Sequence, residues 1–246
     1  MRVLAAAAVL LCGSPAAAQE LQLPKVRYPS LPARGATAAA FVPAGWRIDR
    51  RAEGDLDGDG AADLALVLRE TNPRNVIANK GFGERRFDTN PRLLVILLAV
   101  GNGRGYRLAL TNHSLVARRD NPAQEDPFAP RDSEMRIVRG ALRIQLHRFM
   151  SAGGADMGPT SFTFRWQGGT LRLTGFDMVN VQRMTGETRS VSIDYLTHRM
   201  RLGSGRIEDS ADRMRWKKLP PRPLLTIDAV GDGLEFDPEH AVSGGN

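Results

Sequence analysis

Strict alternation of apolar and charged residues is the pattern that most restricts how this chain can fold. Leu142, Ile144 and Leu146 alternate with Arg143, Gln145 and His147 after the Arg139-Gly140 pair, and Met135 and Ile137 precede that pair. Phe162, Phe164 and Trp166 lead into Gln167-Gly168-Gly169, after which Leu171 and Leu173 alternate with Arg172 and Thr174; Val191, Ile193 and Tyr195 follow the same rule. A period of two puts one side of each segment in a core and the other in water, and the glycine pairs supply turn residues. These stretches therefore predict antiparallel hairpins, and the fold class read from them is all-β. The expected form is an antiparallel meander of hairpins, propeller-like or sandwich, with at most short helices.

Two segments are apolar on both faces. Leu64, Leu66 and Leu68 are interleaved with Ala65 and Val67, and Leu93–Val100 is an unbroken apolar run ending at Gly101-Asn102-Gly103. Eight residues are too few to cross a bilayer, which takes about 20, and suit a central strand. Tyr106-Arg107-Leu108-Ala109-Leu110 then reads as the second arm of a hairpin. Faint recurrence of a glycine before each alternating strand, at Gly105, Gly140 and Gly169, fits hairpin spacing better than the ~40–45 residues of a propeller blade. Asp120–Asp132, with three prolines, and Ser151–Pro159 read as loops; Glu208–Lys218 is the best candidate for a short helix.

The amino end has a different character. Residues 1–18 open on Arg2, continue apolar from Val3 to Leu11 and close on Ala16-Ala17-Ala18, the order of a secretory signal peptide. Cleavage after Ala18 makes Gln19 the first mature residue and removes Cys12, the single cysteine, so the mature chain is expected to carry no disulfide. Periplasmic or secreted localisation follows. Residues 19–40, with Pro24, Pro29 and Pro32 and no apolar period, read as a flexible linker; 41–237 as a single β-rich domain; and 238–246 as a frayed tail.

The formal net charge is +7. Only Lys25, Lys80, Lys217 and Lys218 are lysines, and the arginines are mostly single between apolar residues rather than gathered into a stripe. That distribution argues against nucleic acid as a partner and is compatible with a protein or anionic envelope partner.

Carboxylates converge in one place. In Asp55-Leu56-Asp57-Gly58-Asp59-Gly60-Ala61-Ala62-Asp63 they stand at relative positions 1, 3, 5 and 9, with glycine at 6. Ca²⁺ takes six to eight hard oxygen ligands at about 2.3–2.6 Å. Alternate acids in a tight coil, a glycine for the sharp turn and the Ala61 carbonyl offer such a set. Mutual repulsion points the same way, since two unit charges 4 Å apart repel by about 4 kcal/mol at an effective dielectric of 20. The metal expected is calcium, with Asp55, Asp57, Asp59, Ala61 (through its carbonyl) and Asp63 as ligands. Zinc would want nitrogen or sulfur. A looser acidic group, Asp228, Asp232 and Asp237, lacks the spacing and reads as a turn.

Asp55, Asp57, Asp59, Gly60 and Asp63, followed by the apolar strand Leu64–Leu68, resemble the calcium loop of the FG-GAP and VCBS repeat families. The resemblance covers about fifteen residues and occurs once here, whereas those families repeat it. It implies a calcium ion held between two strands of a propeller blade. The four histidines, His113, His147, His198 and His240, show no metal-ligand spacing, and Ser204 lacks the glycine of a nucleophile elbow. Glu187, Asp194, Glu208 and Asp209 cannot be ranked as catalytic acids by spacing. The chain is thus expected to be an exported noncatalytic calcium-binding β module with structural calcium; the alternative is an exported hydrolase with Ser151–Pro159 as a lid.

Overall fold

The computed structural model describes residues 21–101, 104–129 and 133–243. The leader read at 1–18, with Cys12, and the start at Gln19 lie outside the described residues. In chain order the strands are β1 (Arg34–Gly35), β2 (Trp46–Gly54), β3 (Asp63–Glu70), β4 (Val76–Ala78), β5 (Arg86–Asp88), β6 (Arg92–Ala99) and β7 (Tyr106–Asn112). They continue with β8 (Glu134–Val138), β9 (Ala141–Arg148), β10 (Asp156–Gln167), β11 (Thr170–Gln182), β12 (Glu187–Asp194), β13 (Arg199–Arg206) and β14 (Arg213–Lys218). Two short helices, α1 (Ile227–Val230) and α2 (Pro238–Ser243), follow.

One sheet has the order β1-β7-β6-β3-β2; a second is the meander β14-β13-β12-β11-β10-β9-β8; β4 and β5 form a small ribbon. Every pairing is antiparallel. Both large sheets are open. Of the two arrangements compatible with the hairpin pattern, the chain therefore takes the sandwich.

Ala65 and Val67 of β3 and Leu94, Ile96 and Leu98 of β6 share one buried cluster with Leu142, Ile144, Phe162, Phe164, Leu173, Phe176 and Ile193 of the second sheet. The opposite face of the same two strands, Leu64, Leu66, Leu68, Leu93, Val95 and Leu97, is covered by Ala38 and Phe41, with Tyr28, Leu31 and Trp46 packed around them. That second cover explains why Leu64–Leu68 of β3 and Leu93–Ala99 of β6 are apolar on both faces.

Residues 21–40 thus differ from the flexible linker expected of them. Phe41 is fully buried, β1 pairs with β7, and the Pro24 carbonyl accepts from Arg118 Nη1 at 2.7 Å. Burying a side chain such as Phe41 contributes about 1.5–3 kcal/mol. Its partners are spaced irregularly because the segment lies over the sheet without joining it for more than two residues, so no period announces it.

Three further expectations are corrected. The segment read as a possible helix, Glu208–Lys218, instead ends in β14. All six residues of that strand are exposed, so it has no dry face from which to recognise it. Residues 238–243 form α2 rather than a frayed end, its first turn capped by Asp237 Oδ1, which accepts from the Glu239 and His240 N–H groups at 2.9 and 3.1 Å. The loop read as Ser151–Pro159 is shorter, because β10 begins at Asp156.

Candidate metal centre

The acidic loop joins β2 to β3, and its shape comes from the backbone conformations that glycine permits. Gly58 and Gly60 have φ of 86° and 84°, in the region that side chains with a Cβ avoid. These two left-handed residues wrap the chain so that its N–H groups point inward at the carboxylates. Asp55 accepts from Gly58 N–H through Oδ1 at 2.7 Å and from Gly60 N–H through Oδ2 at 3.0 Å. Asp59 Oδ1 accepts from Ala61 N–H at 2.8 Å, and Asp57 Oδ1 accepts a longer bond, 3.3 Å, from Asp59 N–H.

Asp63 occupies a different environment. It is the first residue of β3 and fully buried. Its Oδ2 accepts from Leu56 N–H and its Oδ1 from Ala99 N–H, both at 2.8 Å. One carboxylate therefore ties the loop to the end of β6 as well as to itself. Burial pushes its carboxyl above the usual range; the Ala99 and Leu56 N–H groups work against that shift, and the charge of Asp57 adds to it.

Of the four aspartates singled out by spacing, three come together: one carboxylate oxygen each from Asp55, Asp57 and Asp63 lie within 4.8 Å of one another. That spread suits a cation whose oxygens stand at about 2.3–2.6 Å on opposite sides. Every donor is a hard oxygen, and each carboxylate oxygen that accepts an N–H retains a second lone pair. The three carboxylates therefore form an acidic group that could hold a metal ion. Asp59 stands outside this triad and turns to Ala61 N–H instead. Spacing could not reveal this, because it fixes which residues share the coil but not which rotamer each adopts.

An open cleft of about 590 Å³ lies beside the loop, lined by Asp55, Asp57, Arg139, Arg165 and Trp166 among others. Arg165 Nη1 donates to the Arg139 carbonyl at 3.0 Å, so the turn between β8 and β9 is fastened next to the acidic coil.

A second charged group was not visible in the sequence. A bulge in β2 between Ile48 and Arg50 leaves Asp49 without a ladder partner and re-aims its side chain. Asp49 Oδ2 accepts from Arg92 Nε at 2.9 Å. Arg92 also forms a bidentate pair with Asp126, at 2.8 and 2.6 Å, while its side chain is only 4% exposed. Burial opposes ionisation of Asp126, but the hydrogen bonds and charge of Arg92, with Phe128 N–H, outweigh it and hold its carboxyl below the usual range. Arg50 and Arg92 both lie over the Phe128 ring, at 5.2 and 5.7 Å. This group pins the proline-rich loop to the first sheet.

Several residues set aside as catalytic candidates lie in turns, an ion pair or strand registers. Asp194 Oδ1 accepts from Leu196 and Thr197 N–H in the turn after β12, Glu208 pairs with Arg206 at 2.6 Å, and Asp209 accepts from Arg206 N–H. His113 stacks on Tyr28 with ring centroids 4.3 Å apart, His198 sits in a turn with φ of 55°, and His147 lies on β9 opposite Pro159. Ser204 is on β13 opposite Arg189. A groove of about 700 Å³ runs between residues 153–158 and the segment Leu234–Glu239. No helix among the described residues is long and apolar enough to cross a membrane.

Comparison of the chain with protein-family models, curated proteins and solved structures finds no match in any of the three.

Proposed function

We propose that this protein is an exported, noncatalytic β-sandwich module in which the loop between β2 and β3 holds a structural calcium ion. The observation that carries the reading is the meeting of Asp55, Asp57 and Asp63 within 4.8 Å on a loop coiled by two left-handed glycines. Asp55 and Asp63 are already fixed by backbone N–H groups, so two of three ligands are preorganised. The ion would supply positive charge where several carboxylates meet and would cross-link the loop to β3 and, through Asp63, to β6. Asp59 and the Ala61 carbonyl, the remaining members of the sequence pattern, are the nearest candidates to complete the shell. The resemblance of the loop to FG-GAP and VCBS repeats supports the choice of metal; the leader-like residues 1–18 support export to a compartment where calcium is plentiful.

Sites of this kind in extracellular modules bind with Kd of about 10⁻⁴ to 10⁻³ M. Calorimetric titration of the full chain with calcium is expected to show one saturable site in that range, with magnesium binding more weakly. An absence of saturable heat up to millimolar calcium would remove the metal from the account.

A further inference from the structure

Among the described residues, the strand that ends the second sheet has no neighbour at its outer edge. β14 lies last in the order β14-β13-β12-β11-β10-β9-β8, and its register with β13 runs without a shift from Arg199 opposite Lys218 to Ser204 opposite Arg213. All six residues of β14 are exposed, so the strand projects past the core on both faces. An uncovered strand edge presents unpaired N–H and C=O groups to any chain that can align with them. Proteins blunt such edges with prolines, bulges, covering loops or charge. Here only charge is used: Arg213-Met214-Arg215-Trp216-Lys217-Lys218 has no proline and no irregularity.

That guard is selective. Strands β13 and β14 together contain seven Arg or Lys and no Asp or Glu, in the sequences RMRLGSGR and RMRWKK. Among the described residues only Arg206 of these seven forms an ion pair, with Glu208. A second copy of β14 laid edge to edge would place like charges opposite one another, which is destabilising. An acidic strand would be drawn in. The two faces of β14 differ as well: Arg213, Arg215 and Lys217 point to one side, while Met214 and Trp216, 51% and 64% exposed, point to the other. Arg201 lies over the Trp216 ring at 6.0 Å and leaves much of that indole open. Aromatic exposure is not needed to repel a neighbour; it offers area to one.

We propose that the edge of β14 is a docking site for an extended acidic polypeptide, which adds to the second sheet as an eighth strand. Its main chain would pair with β14. Acidic side chains at every second position would face Arg213, Arg215 and Lys217, and apolar ones between them would cover Met214 and Trp216. This inference does not depend on calcium.

Fluorescence anisotropy with the full chain and a labelled synthetic peptide of alternating Glu and Val tests it. Saturable binding is expected that weakens with salt, and about tenfold or greater loss is expected when alternate peptide nitrogens are methylated, since this removes backbone donors and leaves the charge. The double variant Arg215→Glu/Lys217→Glu, confirmed folded by an unchanged melting profile, is expected to lose binding by a similar factor. Equal binding of the methylated peptide would overturn strand addition, using the unaltered protein. No saturable binding at millimolar peptide, or binding only to phosphatidylglycerol vesicles, would overturn the proposal outright.

Discussion

Two groups of aspartates anchor loops to the first sheet, and they handle their charge in opposite ways. At Asp49 and Asp126 the counter-charge is built in: Arg92 lies between them with its side chain 4% exposed, and its guanidinium donates to both. At Asp55, Asp57 and Asp63 no arginine or lysine pairs with any of the three among the described residues, and the donors are backbone N–H groups. The first group is electrically complete. The second concentrates negative charge that backbone dipoles only partly offset, so an external cation has something to add there and nothing to add at the other.

The largest expected effect separates the two. Asp126→Ala leaves Arg92 with half its partners in a buried site and is expected to cost about 3–5 kcal/mol. Measured by denaturant unfolding, the loss should be the same in calcium and in chelator. Acid sharpens the point. The Asp126 carboxyl is held below its unfolded range, so the folded protein takes up that proton later than the unfolded chain does. Its contribution is complete above about pH 4 and is lost as pH falls through the lower folded value. An Asp126→Asn variant should lack that part of the acid slope.

Next comes the metal itself. With calcium about 100-fold above its Kd the unaltered chain is expected to gain about 2.7 kcal/mol. Asp63→Asn should cost about 1–3 kcal/mol even in chelator, because an amide retains one acceptor and turns N–H toward a backbone N–H at the other. The smallest effect belongs to Asp57→Ala, whose carboxylate accepts, among the described residues, just the long 3.3 Å bond from Asp59 N–H. In chelator it should change stability by less than about 0.5 kcal/mol, while removing most of the calcium response. Asp59→Ala should remove less of that response, since Asp59 stands outside the triad.

The same contrast marks what the amino-acid order reveals. The acidic coil was legible because its donors and acceptors lie within nine residues, and the hairpins because alternation is a local property. Arg92 was not legible, as it joins residues 43 and 34 positions away, and in the sequence it is merely the residue before an apolar run. The bulge that frees Asp49 leaves no mark in composition. The cover formed by residues 21–41 was missed because Tyr28, Leu31, Ala38 and Phe41 meet the sheet at irregular intervals. β14 was missed for the converse reason: full exposure of all six residues removes the wet and dry alternation by which its neighbours were recognised. Within the acidic loop, spacing could not tell which carboxylates meet: Asp55, Asp57 and Asp63 do, while the Asp59 side chain turns to Ala61 N–H.

The claim that the loop between β2 and β3 holds calcium is tested most directly by thermal unfolding of the full chain and its Asp57→Ala variant, each in about 10 mM calcium and in chelator. The account predicts that calcium raises the melting temperature of the unaltered chain by roughly 5–10 °C, leaves the variant nearly where it was, and that the two proteins melt together in chelator. Identical melting of the unaltered chain in calcium and chelator would contradict it.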